Sequence, residues 1–246
     1  MGTRRVEGED VSRSSGPIPA FPGRHALREQ EILWTDFLAM ARTVVDSLAK
    51  STEVLCEGRL EVVAEVKSVE KESDREEVRI EQECLRILAL YEPVASDLRR
   101  LATILKVNRD WERIADLAAR IARRARKRAR KSDSVLVPEP LKTLARDVLA
   151  QVRASYDALT GRDAERARTV IVGDRSIDRQ YRRLCKELKE DLRQHAGELN
   201  TWLQLLSTAR NLERIADHAT DIAQTIVYLQ EGIIIRHKKD FPAANP

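Results

Sequence analysis

Glu112 and Asp116 stand four residues apart, and so do Glu213 and Asp217, each pair inside the pentapeptide Glu-Arg-Ile-Ala-Asp (112–116 and 213–217). Asp221 follows Asp217 by four more residues. On a helix, residues four apart lie one above the other on a single face. Carboxylates placed that way offer several hard oxygen donors to one divalent or trivalent cation. Without a partner they repel, by about 0.2–0.5 kcal/mol per pair. The sequence supplies a second kind of partner as well. Arg109 and Arg210 precede the two motifs by three residues, and Arg120 follows Asp116 by four. A cation site and an arginine-neutralised, solvated face are both open readings of these spacings.

The two motifs share their flanks: Ile121-Ala122 follows the first at the same offset as Ile222-Ala223 follows the second. Two long matching stretches mean an internal duplication. A helical wheel advances about 100° per residue, so with Glu112 at zero Asp116 falls near 40° and Arg109 near 60°. Ile114, Leu117, Ala118 and Ile121 then fall between about 140° and 240°. The apolar stripe faces a core, and the acids point mostly away from it. In the second copy Glu213, Asp217 and Asp221 make one carboxylate row over two turns. One helix rarely fills a coordination shell, so the neighbouring helix should contribute. Asp74 and Asp178, each followed by arginine, stand at matching places on the preceding helices.

The elements that must position these acids are helices. Apolar residues recur at three-and-four spacing over about 26–57, from Ile32 and Phe37 to Leu55, and Gly58 breaks the run. A second helix follows Leu60 and ends at Glu92-Pro93. Its middle, 70–77, is almost wholly charged, and a kink or local exposure is expected there. A third helix runs over about 95–130, roughly 50 Å at 1.5 Å per residue. Pro138 and Pro140 mark a linker, and the scheme repeats: a helix over 141–159, one over 164–195 interrupted at Gly173-Asp174, a turn at Gly197, and a last helix over 199–230. No segment alternates with period two for long enough to suggest a sheet. The expected fold is all-α: two tandem three-helix bundles, 25–132 and 139–238, related by an approximate internal twofold and preceded by a Gly/Pro-rich flexible tail at 1–24.

Composition narrows the function. Apolar residues make up 42% and charged residues 34%, but aromatics only 4%, a mixture suited to long helices around thin Leu/Ile/Ala cores. The net charge of +4 is spread over many residues of both signs, which suits a solvated surface better than a nucleic-acid interface. The basic stretch at 123–131 complements the negative end of its helix, or offers a docking patch to an acidic partner. No apolar run approaches the length of a membrane span, and no signal-peptide pattern opens the chain. Cys56, Cys84 and Cys185 are isolated at apolar helical positions and read as small buried hydrophobes in a reducing cytosol. A ferritin-like di-iron enzyme needs Glu-x-x-His. The residues three before His25, His195, His218 and His237 are Pro22, Leu192, Ile215 and Ile234, so that chemistry is not supported. His218 projects about 100° from Asp217 and reads as a surface histidine. No nucleotide-binding Gly-rich loop or nucleophile elbow is present.

The stretch YEPVASDLRRLATILKVNRDWERIADLAARI at 91–121, its partner RNLERIADHATDIA at 210–223 and the ending YLQEGIIIRH at 228–237 together resemble the PhoU family of phosphate-uptake regulators. The resemblance runs from about residue 30 to 238. It implies a PhoU-like repeat of two three-helix bundles and a non-enzymatic, cytoplasmic protein, held at the inner face of the membrane by its partners. Those partners would be the ATPase subunit of a phosphate ABC transporter and a phosphate-sensing histidine kinase. Apolar helix faces left over would permit a homodimer. The resemblance also implies metal ions (iron, zinc, manganese or magnesium) on surface E/D-xxx-D motifs. Carried across, the ligands are Glu112 and Asp116 in one half and Glu213, Asp217 and Asp221 in the other, with Asp74 and Asp178 on the preceding helices. Two departures stand out: Ala115 and Ala216 replace a frequent glycine, and Arg120 stands where Asn or Asp is common. Arg120 is expected to pair with Asp116 and weaken the first site. The alternative function is a metal-free helical adaptor for another transporter.

Overall fold

The computed structural model describes residues 23–130, 136–194 and 196–235. Most of the expected tail, Lys131 of the basic stretch, His195, His237 and the end of the second half at 236–238 lie outside the described residues. Among the described residues the chain forms α1 (Arg24–Glu57), α2 (Val63–Tyr91), α3 (Ala95–Arg130), α4 (Glu139–Gly161), α5 (Ala164–Gln194) and α6 (Leu199–Glu231), and no strand. Short 3-10 turns, Leu60–Val62 and Ala196–Glu198, lead into α2 and α6. None of these helices is long and apolar enough to cross a membrane.

Local chemistry places the boundaries. Gly58 ends α1 and Gly232 ends α6 in the left-handed conformation, at φ 76° and 71°, where a Cβ would be strained. Pro140 sits in the first turn of α4, where its missing N–H is not needed. The Asp163 carboxylate accepts the Arg166 N–H at 2.9 Å and caps α5.

Helices α1, α2 and α3 pack on one another, as do α4, α5 and α6; α3 also packs on α6, and α1 on α4. Contacts between Arg99 and Gly232 and between Asp110 and His218 show that α3 and α6 run antiparallel. One continuous hydrophobic core therefore passes through both halves. The Trp111 side chain, fully buried on α3, meets Tyr156 of α4 edge-on at 6.2 Å between ring centroids. Ile114, Leu117, Ala118 and Ile121 are buried, as are Ile215, Ala219 and Ile222 of α6. The apolar stripe expected from helical periodicity is the face that packs into the core.

Several expectations are revised. Helix α2 runs unbroken through its charged middle, because Ser73 faces the core while Glu70 and Glu76 find arginines, Arg123 and Arg79. Helix α5 passes through Gly173 without interruption; a helical glycine costs about 1 kcal/mol relative to alanine, which packing on α4 and α6 can absorb. Of the cysteines, only Cys84 is buried; Cys56 and Cys185 are half-buried. The basic stretch is not simply a solvated end. Arg123 pairs with Glu70, Arg128 is buried, and Arg124 is half-buried. Loss of hydration, and then the charges of Arg120 and Arg123, hold the Arg124 guanidinium below its ordinary pKa.

Candidate metal face and its neutralised twin

Each half presents an acidic face where its second helix lies along its third. On the first, α2 supplies Glu70 and Asp74 and α3 supplies Glu112 and Asp116. On the second, α5 supplies Asp174 and Asp178 and α6 supplies Glu213 and Asp217. Superposing the sequences on Asp74 and Asp178 sets Glu70 against Asp174. The two faces therefore begin with equivalent sets of four acids.

Their surroundings differ. On the first face Arg120 donates from Nε to Asp116 Oδ1 at 3.0 Å, and its Nη2 lies 2.9 Å from Oδ2. That is the two-pronged fit of a planar guanidinium to a carboxylate. Arg123 Nη1 donates to both oxygens of Glu70 at 2.8 Å. Arg113 Nε stands 3.3 Å from Glu112 Oε2. Asp74, Glu77, Glu81, Arg109, Glu112 and Arg113 line one open recess. Burial is the main cause that raises the Glu112 pKa; Arg113 pulls it back, and Asp74, Asp116 and Glu77 push it further up. Glu77 is raised as well, by burial and then by Glu81, against the pull of Arg109 and Arg113. The pairing of Arg120 with Asp116 expected from the sequence is present.

On the second face the equivalents of Arg120 and Arg123 are Asp221 and Gln224, and the nearby Arg210 and Arg214 pull the Glu213 pKa down only in part. Among the described residues Glu213, Asp174 and Asp217 make no ion pair within 4.0 Å, whereas Asp178 accepts from the exposed Arg182 on its own helix at 2.9 Å. Gln151 of α4 donates to Asp174 Oδ1 at 3.3 Å and to Thr220 Oγ1 at 3.0 Å, which anchors the inner edge of the face. The consequence shows in protonation. Loss of hydration and then Glu213, Asp174 and Asp178 push the Asp217 carboxyl from 3.8 up to about 6. Glu213 is raised by burial and then by Asp178, and Asp174 mainly by burial. Tyr181 and Cys185 stand on α5 where α2 carries Glu77 and Glu81. Burial, Cys185 and Glu213 push the Tyr181 phenol up to about 12, so it remains neutral beside the acids.

The second set suits a hard cation. Its donors are carboxylate oxygens from two helices, only Asp178 among them holds an ion pair within the described residues, and a bound dication would relieve their repulsion. Metal chemistry there would be charge neutralisation and bridging of α5 to α6. On the first face Arg120 and Arg123 already perform that service for Asp116 and Glu70.

The expected ligand set changes in one respect. Asp74, Glu112 and Asp116 gather on the first face and Asp178, Glu213 and Asp217 on the second. Asp221 leaves the row and faces the other half, with one oxygen within 4.8 Å of ligand atoms of His218 and Asp110. The wheel set Asp221 a further 40° or so round from Asp217, and the antiparallel α3 claims that sector. His218 is half-buried rather than a free surface group. Residue spacing did not assign Glu70, Asp174, Arg123 or Gln151 to these faces. The first two were detectable as acids one turn before Asp74 and Asp178; the other two belong to helices whose facing sides only packing reveals.

The same organisation is found in known proteins. The chain matches the PhoU domain family over residues 37–125 and 141–226, one match in each half. A phosphate-specific transport system accessory protein PhoU homolog of Pseudomonas putida is 33% identical over 209 residues, 85% of this chain and 82% of that protein. The crystal structure of PhoU from Pseudomonas aeruginosa superposes with a TM-score of 0.81 at 30% identity, covering 84% of this chain and 99% of that one. The phosphate transport system regulatory protein PhoU from Streptococcus pneumoniae gives 0.76 at 26% identity, over 85% and 99%. With both repeats matched in sequence and the paired bundles matched in space, the chain belongs to the PhoU family.

Proposed function

We propose that this protein is a non-enzymatic accessory regulator of phosphate uptake and phosphate-starvation signalling. It works in the cytoplasm at the inner face of the membrane, through the ATPase subunit of a phosphate ABC transporter and a phosphate-sensing histidine kinase. Its α5/α6 face carries a divalent or trivalent metal ion, iron, zinc, manganese or magnesium, held by Glu213 and Asp217 with Asp174 and Asp178. The observation that carries the metal reading is the gathering of these four acids from two helices, with Glu213, Asp174 and Asp217 in no ion pair among the described residues and Asp217 pushed up to about 6. The printed descriptions of its relatives as phosphate-transport accessory proteins support the biological role. A homodimer is part of the proposal.

Affinity capture with the full-length protein, from cells grown at high and at low phosphate, tests the role. Recovery of the transporter ATPase or the sensor kinase in a phosphate-dependent manner is expected. Recovery of neither in either condition counts against it. Elemental analysis of metal-replete protein, wild type against Asp174→Asn/Asp178→Asn, tests the face. The substitution should remove at least one bound ion per chain, and equal metal content in both proteins would leave the adaptor without metal as the better account. Light scattering on the purified chain reads the oligomeric state.

A further inference from the structure

At the seam between the halves, α3 and α6 bring together an acid, an imidazole and a second acid. Asp110 Oδ1 lies 3.0 Å from His218 Nδ1. Asp221 stands one turn beyond His218 on α6, and one ligand atom from each of the three residues lies within 4.8 Å of the others. Asp110 and His218 are each 21% exposed, while Asp221 is exposed. The cluster is thus open to solvent on one side and walled by protein on the other. We infer that Asp110, His218 and Asp221 form a separate cation site, of nitrogen-plus-carboxylate type, that clamps the first half of the molecule to the second.

Three properties carry the inference. The donor set is mixed. An imidazole nitrogen with two carboxylates suits zinc and related borderline dications, unlike the all-oxygen face of α5 and α6. The charge also balances, since two carboxylates and a neutral imidazole present two negative charges to one dication. Finally, the geometry is near what an ion requires. Two ligands of a tetrahedral zinc, with bonds of about 2.0–2.1 Å, stand roughly 3.3 Å apart, close to the observed separation of Nδ1 and Oδ1. The ion would replace the proton those atoms share, and a side-chain rotation of Asp221, whose carboxylate already lies within 4.8 Å of both, would bring in the third ligand.

The duplication argues against a purely packing role. The residues at the same offset in the opposite halves are Asn211 for Asp110, Leu117 for His218 and Arg120 for Asp221. The internal duplication relates those three positions to the cluster by its approximate twofold. Helix packing therefore does not demand an acid–imidazole–acid set, which the related positions lack. The site ties together two elements that belong to different repeats, whereas the α5/α6 face lies within one repeat.

Zinc titration of the full-length chain tests the inference without relying on the regulator reading. In Asp174→Asn/Asp178→Asn, which disables the α5/α6 face and leaves the seam intact, one zinc equivalent should still bind. X-ray absorption at the zinc edge of that variant should show imidazole scattering. The α5/α6 face holds no imidazole, so this signature separates the two sites. Adding Asp221→Asn, a change at an exposed position, should weaken that binding by on the order of tenfold or more. Adding His218→Ala should remove the imidazole signature. An oxygen-only shell, loss of all zinc in Asp174→Asn/Asp178→Asn, or unchanged affinity after Asp221→Asn would each overturn the seam site and leave the Asp110–His218 contact as a hydrogen bond between helices. Failure of the α5/α6 proposal reads differently: wild type and Asp174→Asn/Asp178→Asn would then bind the same number of zinc ions.

Discussion

The two halves start from one plan and reach opposite electrostatic solutions. In the first, Arg120 grips Asp116 and Arg123 grips Glu70. In the second, the same offsets carry Asp221 and Gln224, and Asp217 and Asp174 are left with carboxylate neighbours. Backbone and core barely register the difference, since the stripes beneath both faces are equally buried. A duplicated scaffold thus allows one copy to be neutralised from within by tethered cations while the other leaves Glu213, Asp174 and Asp217 without an ion pair among the described residues; the proposed metal would take that role there. The arginines act as fixed counter-ions: always present, independent of metal supply, and unable to dissociate.

The comparison can be broken first at its shared foundation. Trp111 and Leu212 are equivalent core positions, both essentially buried, but Trp111 also packs on Tyr156 of the other half. Trp111→Ala should lower stability by about 3–5 kcal/mol, and Leu212→Ala by about 2–5 kcal/mol, read from urea unfolding. An effect of Trp111→Ala below that of Leu212→Ala would mean that the halves are not held together through this residue.

Metal binding sharpens the contrast most directly. Asp217→Asn should weaken manganese binding to the full chain by on the order of tenfold or more, by analogy with losses at supporting positions, while Asp116→Asn should leave it nearly unchanged. Calorimetric titration of both variants checks this, and equal losses would erase the distinction between the faces. The reverse experiment copies the second half onto the first. Arg120→Asp with Arg123→Gln should add one bound manganese equivalent per chain.

Acidity separates the faces next. A carboxyl whose folded pKa lies above its unfolded value disfavours the ionised fold. For Asp217 that penalty is absent well below 3.8 and complete above about 6. Its contribution therefore makes the metal-free protein less stable as pH rises between those values. Binding of a metal requires the ionised form, so affinity should strengthen over the same interval. Melting curves of wild type against Asp217→Asn check the first point: the difference between them should change sign or shrink toward the acid end. A pH-independent difference would show that Asp217 does not titrate there. The smallest effect is expected at Arg123, whose ion pair with Glu70 is partly solvated. Arg123→Gln should cost about 0.2–1 kcal/mol, and a larger loss would make the pair a structural element rather than a counter-ion.

Much of this could be read from residue order. The repeat, the six helices and the buried stripe follow from period 3.6 and from Gly and Pro at the boundaries, because those signals act within a few residues of chain. The pairing of Arg120 with Asp116 was readable for the same reason, being four residues apart on one helix. What was not readable lies between helices. Glu70 to Arg123, Gln151 to Asp174 and Asp110 to His218 are contacts across 53, 23 and 108 residues, and no local pattern announces them. The expected kink in α2 and interruption at Gly173 failed for a related reason: neighbouring helices supplied partners and packing that propensity alone does not count.

By itself the sequence determined that this chain is a duplicated helical scaffold with acids on the outward side of each motif helix, since helical periodicity assigns a residue to a face. Only the tertiary structure decided which face each acid shares and with whom. Helix crossing turned Asp221 and His218 toward Asp110, and it set Arg123 on Glu70 while leaving Asp217 among carboxylates. The physical reason is range. Periodicity is set by backbone geometry over one or two turns, whereas the charge balance of a site depends on side chains that approach within a few ångströms only after distant helices have packed.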